Sequence, residues 1–74
     1  MRRMIGTNMA SRVVASKAPT GYVAVPPGYG ARPGYVSAGP DHDMKTTVYL
    51  LPNDDGAWFR KLVEKAGGVV REES

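Results

Sequence analysis

Residues 46–71 read TTVYLLPNDDGAWFRKLVEKAGGVVR, and this stretch decides the fold. The run 46–51 is β-branched, aromatic or aliphatic on both alternating faces, which is typical of an interior strand. Pro52 ends the run because proline has no N–H to donate to a neighbouring strand. Two consecutive valines followed by Arg71, at residues 69–71, predict a second, short strand. The stretch therefore predicts a strand, a helix and a strand in that order.

The helix between these strands carries an apolar stripe at helical spacing. Its members recur at i, i+3, i+4 and i+7, namely Phe59, Leu62, Val63 and Ala66. Residues 53–55 supply side chains that can cap the helix N-terminus, and carboxylates that its dipole favours. Gly67 and Gly68 end the helix, with one of them in the left-handed conformation. We therefore expect this helix to cover one face of a small sheet.

The segment before that stretch is rich in Gly, Pro, Val and Tyr and contains a loose internal repeat. Residues 21–25 (GYVAV) resemble residues 34–38 (GYVSA). Pro-Gly at 27–28 and at 33–34 is typical of type II turns. The strands predicted here are 12–16, 21–25 and 34–38. The alternative is that the Gly/Pro/Tyr-rich region 26–44 is an extended loop without strand pairing.

The expected architecture is α+β, a small β-sheet of three to five short strands with one C-terminal helix packed on one face. With 74 residues, the chain has room for one domain. Residues 1–11 are basic and lack periodicity, so we expect a flexible N-terminal arm before a single domain over residues 12–74. A domain of this size is marginally stable alone and has no cysteine for disulfides, so a protein partner or self-association is expected.

Charge is distributed unevenly along the chain. Ten Lys and Arg oppose seven Asp and Glu, and all seven acids follow residue 40. The first part of the chain is therefore purely cationic. No apolar run approaches the roughly 20 residues of a membrane-spanning helix, and the N-terminal stretch lacks the continuous apolar segment of a signal peptide. We expect a cytoplasmic protein with no membrane contact.

No residue pattern indicates catalysis, a cofactor or a metal. Asp41, His42 and Asp43 form an acid–histidine cluster, but a metal site needs about three or four convergent ligands, so we interpret the cluster as a polar turn. The glycines within 28–30 depart from a dinucleotide fingerprint because proline stands at position 33. We therefore predict that the protein is not an enzyme, has no catalytic, cofactor-binding or metal-ligating residues, and takes no small-molecule substrate.

Cations and aromatic side chains remain as candidates for binding. Tyr22 and Tyr35 hold equivalent repeat positions, and in antiparallel strands they would share one sheet face on which bases can stack. Lys17 and Arg32 would lie near them. The simpler alternative is that both rings cover the core. Trp58 lies beside the apolar stripe, where it either marks an interface or covers the core beside Tyr49 or Val69. The interaction candidates are Arg2, Arg3, Arg12, Lys17, Tyr22, Arg32, Tyr35 and Trp58.

Two functions from different classes fit these features. The first is a non-catalytic protein-interaction module, such as a phage or bacterial accessory or inhibitor protein that binds another macromolecule or forms a homo-oligomer. The alternative is a small nucleic-acid-binding protein that uses its basic N-terminal half and a tyrosine-bearing sheet face. A net charge of +3 is modest for a nucleic-acid binder of this size, so the protein partner ranks first.

Overall fold

A computed structural model describes residues 2–8 and 14–73 as a five-stranded sheet with one α-helix. The elements are β1 (Arg3–Thr7), a 3-10 turn (Ala15–Lys17), β2 (Val23–Val25), β3 (Tyr35–Ser37), β4 (Lys45–Tyr49), α1 (Ala57–Lys65) and β5 (Val69–Glu73). The predicted α+β class with strand, helix and strand at the C-terminus is confirmed. No helix within the described residues is long and apolar enough to cross a bilayer.

The strands form one mixed sheet in the order β2-β3-β4-β1-β5. Strand β1 lies between β4 and β5 and is antiparallel to both. The two strands that α1 connects are therefore parallel to each other but not adjacent. On the other side, β3 is antiparallel to β4, while β2 is parallel to β3. The first strand of the chain thus completes the middle of the sheet.

The expectation of a flexible arm over residues 1–11 is wrong for Arg3–Thr7. These residues form β1, and each of them has a partner residue on both neighbouring strands. Met4 and Ile5 are buried. The local sequence gave little indication of this strand because Gly6 interrupts its short apolar run, and strand pairing with distant segments overrides that weak local preference.

Two of the three strands predicted in the middle segment are present in shortened form. Strands β2 and β3 fall within the predicted ranges 21–25 and 34–38. The strand predicted at 12–16 is wrong at its described end, where Ala15–Lys17 form a 3-10 turn. Its first residues lie outside the described part of the chain. The region 26–44 contains β3 and is otherwise loop. The predicted strand is therefore present at 35–37, and the alternative of a loop without strand pairing holds for the rest of the region.

The core lies between α1 and one face of the sheet. Phe59 and Val63 of α1 are fully buried, and Leu62 and Ala66 are partly buried against the same cluster, as the apolar stripe predicts. The other members of the core are Met4, Val14, Val36, Val48 and Leu50. Burying one such side chain contributes roughly 1.5–3 kcal/mol. The helix therefore seals one sheet face and leaves the opposite face without a helical cover.

Helix α1 begins at a glycine whose surroundings leave no room for a side chain. Gly56 is the N-cap residue and has a φ of 77°, in the left-handed region. A Cβ atom at this position would lie 2.1 Å from the sulfur of Met4. The carboxylates of Asp54 and Asp55 each accept the backbone N–H two residues further on. The acidic segment therefore bonds backbone N–H groups at the start of α1, but the predicted side-chain cap is wrong, because Gly56 is the N-cap residue and the first turn holds no acidic side chain. The predicted left-handed glycine at the helix end is Gly67, with a φ of 87°.

Gly56→Ala is expected to lower the free energy of unfolding by about 3 kcal/mol, because overpacking against Met4 adds to left-handed backbone strain. Gly67→Ala is the matched control, since nothing lies within 4 Å of a Cβ built there. It should cost about 1 kcal/mol from the backbone alone. Urea unfolding measures both values, and equal losses would contradict the steric role of Met4.

Thr46→Val is expected to raise the free energy of unfolding by about 1 kcal/mol, because it removes a buried hydroxyl without a partner and keeps the side-chain shape. Thr46 is fully buried in β4, and its Oγ1 has no hydrogen-bond partner among the described residues. Thr47→Val, on the opposite sheet face, is the control and should change stability by less than about 0.5 kcal/mol. Thermal unfolding compares the two, and a destabilised Thr46→Val protein would show that the hydroxyl is bonded.

Candidate binding surfaces

The sheet face opposite α1 has no helical cover and carries mostly polar, charged and aromatic side chains, although Ile5 and Ser37 on it are buried. Because side chains alternate along a strand, the neighbours of the core positions point to this face. Across β1, β4 and β5 the register aligns Arg3, Ile5, Thr7, Lys45, Thr47, Tyr49, Val69, Arg71 and Glu73 on it, and β3 adds Tyr35 and Ser37. We call this surface the open face.

The carboxylate of Glu73, on the open face, forms ion pairs with two arginines. Arg3 contacts it through Nε at 3.0 Å and Nη2 at 2.5 Å, and Arg71 Nε lies 3.2 Å away. The hydrogen bonds from Arg3, with the charges of Arg71 and Lys45, hold the pKa of Glu73 below its usual value. Lys45 forms no ion pair of its own within residues 2–8 and 14–73. Two guanidinium groups therefore share one carboxylate, and the ammonium group of Lys45 is left without an ion pair among the described residues.

A depression of about 260 Å³ joins Arg3 and Lys45 to the glycine-rich loop between β2 and β3. Arg3 Nη1 donates to the hydroxyl of Tyr49 at 3.4 Å, and Lys45 lines the same depression. The hydrogen bond with Tyr49, followed by the one to Glu73, raises the pKa of Arg3 further. From the loop, Tyr29 contributes a ring that is 72% exposed. The depression therefore combines permanent cations, hydroxyl groups and an accessible aromatic ring.

The acid–histidine segment forms the turn that the sequence predicts. This turn lies at the rim of the depression. Asp41 Oδ1 accepts the backbone N–H groups of Asp43 at 2.9 Å and Lys45 at 3.0 Å. His42 is exposed, and its Nε2 lies 3.4 Å from a carboxylate oxygen of Asp43. In the part of the chain that the structure describes, no three His, Cys, Asp or Glu side chains converge as metal ligands would.

Tyr22 and Tyr35 lie on opposite faces of the sheet, so they form no shared platform, and the favoured interpretation that both rings cover the core holds for Tyr22 alone. Strands β2 and β3 are parallel, and their register sets Val23 rather than Tyr22 beside Tyr35. The sequence repeat aligns the two tyrosines, but a one-residue shift in register moves a side chain to the other face. Tyr35 therefore lies on the open face, while Tyr22 packs at the edge of the core.

Tyr22, Asp54 and Trp58 form a hydrogen-bonded cluster on the helix side, which we call the aromatic cluster. The Tyr22 hydroxyl donates to the Asp54 carboxylate and accepts the backbone N–H of Leu51 at 3.1 Å. Trp58 Nε1 donates to the same carboxylate at 2.9 Å. The two rings lie 5.2 Å apart between centroids. Trp58 is half-buried, so it covers the core, with Tyr22 as its neighbour instead of the expected Tyr49 or Val69.

The aromatic cluster shifts the pKa values of its two titratable members in opposite directions. Burial opposes ionisation of Asp54, but the hydrogen bonds from Tyr22, the Gly56 backbone and Trp58 outweigh it, so the pKa of Asp54 lies below its ordinary value. Burial, followed by the hydrogen bond to Asp54, raises the pKa of Tyr22. The cluster is therefore most stable with a charged carboxylate and a neutral phenol.

The remaining sequence-predicted candidates lie apart from one another. Arg2 pairs with Glu72 at 2.6 Å, next to the covered face. Lys17 is exposed at the end of the 3-10 turn, and Arg32 is exposed in the loop between β2 and β3. Arg12 lies outside the described residues. Of the predicted candidates, Arg3 and Tyr35 lie on the open face, and Arg32 borders it beside Tyr35.

Several residues of the open face were missed by sequence analysis. These are Tyr29, Lys45, Tyr49 and Arg71. The alternation of β4 carried a usable signal, because its odd-numbered positions hold the polar and amphipathic side chains. The register that sets them beside Arg3 is a long-range property that alternation within one strand does not reveal.

Comparison with known proteins finds no relative of this chain. No protein-family model matches it, and no curated protein or solved structure matches it either. Its function therefore has to be inferred from its surfaces.

Asp54→Asn and Tyr22→Phe are expected to change opposite ends of the pH–stability profile. The lowered pKa of Asp54 means that its contribution is present above about pH 3.8 and is lost as pH falls through the folded pKa. The raised pKa of Tyr22 means that its contribution is present below about pH 10.0 and is lost as pH rises through the folded pKa. Asp54→Asn should therefore flatten the acid side of the profile, and Tyr22→Phe the alkaline side.

Thermal unfolding followed by Trp58 fluorescence across this pH range measures both effects. At neutral pH, Tyr22→Phe should cost about 2 kcal/mol, because it removes both the hydrogen bond to the Asp54 carboxylate and the one that the hydroxyl accepts from the Leu51 N–H. An acid profile of Asp54→Asn identical to that of the unmodified protein would show that the carboxylate is not held by the cluster.

Proposed function

We propose that this protein is a non-catalytic binding module whose open face binds single-stranded nucleic acid. The observation that carries the proposal is the group of cations on the open face: Arg3 and Arg71 share the carboxylate of Glu73, and Lys45 has no ion pair among the described residues. Phosphate groups complement such a group of cations, and guanidinium groups bind phosphate oxygens in a bidentate way. A phosphate backbone lying across β5, β1 and β4 meets each of these cations.

Tyrosine rings beside the cations supply surfaces on which bases can stack. Tyr29 is exposed at the depression, while Tyr35 and Tyr49 are half-buried on neighbouring strands. A stacked base contributes roughly 1–3 kcal/mol, so the rings add substantially to the phosphate contacts. Base faces are available in single strands and hidden in duplexes, so this combination favours a single-stranded ligand.

The spatial separation of charge is the reason to prefer nucleic acid over the protein partner that ranked first on composition. Glu72 pairs with Arg2 away from the open face, and Asp54 and Asp55 lie at the start of α1. These three acids lower the net charge of the chain from outside the open face, whereas Asp41 and Asp43 lie at the rim of its depression, where Asp41 lines the depression together with Lys45. The role as a phage or bacterial accessory or inhibitor protein and the cytoplasmic location stay predictions from the sequence.

Binding to a labelled single-stranded oligothymidine, followed by fluorescence anisotropy, is expected to weaken steeply as salt is raised. Neutralising three phosphates gives a slope of about −2 in a plot of log K against log salt concentration. Lys45→Ala and Arg71→Ala should each reduce the size of that slope by about 0.7. Tyr29→Ala should weaken binding about tenfold at constant salt while leaving the slope unchanged.

Arg60→Ala and Lys61→Ala are matched controls, because they remove cations from the exposed side of α1. Both should leave the affinity within about twofold of the unmodified protein, since their loss changes only screened, distant charge. A duplex of the same sequence should bind more weakly than the single strand. Affinity that does not depend on salt, or equal losses in the α1 controls, would refute binding through the open face.

A further inference from the structure

A second depression, of about 340 Å³, lies where the glycine-rich loop joins β2 to β3, and we call it the edge depression because β2 is an edge strand. Its lining combines two tyrosine rings, two aliphatic side chains, a glycine and a guanidinium group, provided by Val25, Pro26, Tyr29, Gly30, Arg32 and Tyr35. The parallel register sets Val23 beside Tyr35 and Val25 beside Ser37. Paired residues of neighbouring strands point to the same side, so the edge depression belongs to the open face.

The edge depression adjoins the depression that Arg3 and Lys45 line, because Tyr29 and Gly30 belong to both linings. The two cations offer donors to a phosphate group. The edge depression instead offers ring faces and aliphatic surface, which suit an uncharged planar group. A nucleotide consists of a phosphate and a planar base, so the two adjoining depressions match the two parts of one nucleotide unit.

Among the described residues that line the edge depression, Arg32 alone is charged. Its side chain is exposed and forms no ion pair with the other described residues. A guanidinium group is a planar fork of N–H donors without an acceptor. A base that packs against the rings of Tyr29 and Tyr35 therefore meets a fork of donors at its edge. The base that satisfies this fork is one with two neighbouring acceptors.

We propose that the edge depression binds a guanine base of the single strand and that Arg32 selects guanine over the other bases. Guanine presents the acceptors O6 and N7 side by side, an arrangement that arginine binds in a bidentate way. Adenine places an amino donor next to its N7, cytosine presents an amino donor, and thymine presents a single acceptor beside a methyl group. This inference rests on the proposed binding of single strands to the open face and adds the base preference of that binding.

Fluorescence anisotropy with labelled oligothymidines that carry one central guanine or one central adenine tests the base preference. Both purines stack on tyrosine, so the comparison isolates the contact with Arg32. The guanine strand should bind about tenfold more tightly, as expected for one bidentate contact. Hypoxanthine keeps O6 and N7 and should bind like guanine, whereas 7-deazaguanine lacks the N7 acceptor and should lose most of the advantage.

Substitutions of Arg32 test whether this side chain reads the base. Arg32→Gln should transfer the preference from guanine to adenine, because a glutamine amide pairs with N6 and N7 of adenine. Arg32→Lys keeps the charge but lacks the planar fork, so it should lose most of the guanine preference. Arg60→Gln, on the exposed side of α1, is the matched control for the loss of one charge and should leave the guanine preference unchanged.

Two outcomes overturn the guanine site and leave the proposed function in place. The first is salt-dependent binding with equal affinity for the guanine and adenine strands. The second is a guanine preference that survives Arg32→Gln.

Titration with guanosine monophosphate and adenosine monophosphate, followed by NMR signals of the Tyr29 and Tyr35 rings, separates the two proposals. Shifts specific to guanosine monophosphate in a protein that binds no oligonucleotide would support guanine recognition and refute single-strand binding. Absence of both responses would overturn both proposals.

Discussion

The pairing of β1 with two strands at once is the constraint on which the rest of the structure depends. Strand β5 joins the sheet through β1, which in turn pairs with β4. The side-chain contacts that accompany this pairing, such as Arg2 with Glu72, join residues 70 positions apart. Bringing such distant segments together costs loop entropy before contacts repay it. Because Met4 of β1 is a member of the core, the core under α1 is complete only when the two ends of the chain have met.

The same pairing creates both surfaces. Alternation along β1 sends Arg3 to the open face and Met4 to the core, so one strand contributes to the cationic surface and also supports the start of α1. The open face is consequently as rigid as the sheet itself, apart from the loop that carries Tyr29. The aromatic cluster anchors the opposite side, where Asp54 connects Tyr22 to α1. Recognition surfaces on regular elements hold their geometry better than surfaces built on loops alone.

Local patterns predicted the parts of the fold that local physics determines. The apolar stripe of α1 and Gly67 act over a few residues, and both predictions are confirmed. Strand β1 was not predicted, because a five-residue strand interrupted by Gly6 has almost no hydrophobic periodicity of its own. The tyrosine platform failed for a related reason, since sequence equivalence of Tyr22 and Tyr35 says nothing about register. Two residues of the open face, Arg3 and Tyr35, were identified as candidates from the sequence. The residues that lie beside them on this face come from strands distant in sequence, so they were not identified.

Because the Met4 sulfur is packed against Gly56, its oxidation depends on local opening of the sheet. The Met4 sulfur occupies the space that a side chain at position 56 would need, and Met4 is only 1% exposed. Oxygen transfer from peroxide to that sulfur requires access, and the sulfoxide is too large and polar for the site. Oxidation therefore proceeds through openings in which β1 leaves the sheet. Met44, which is 49% exposed, reacts without such an opening. The ratio of the Met4 oxidation rate to the Met44 oxidation rate is thus a measure of the fraction of molecules in which β1 is detached from the sheet.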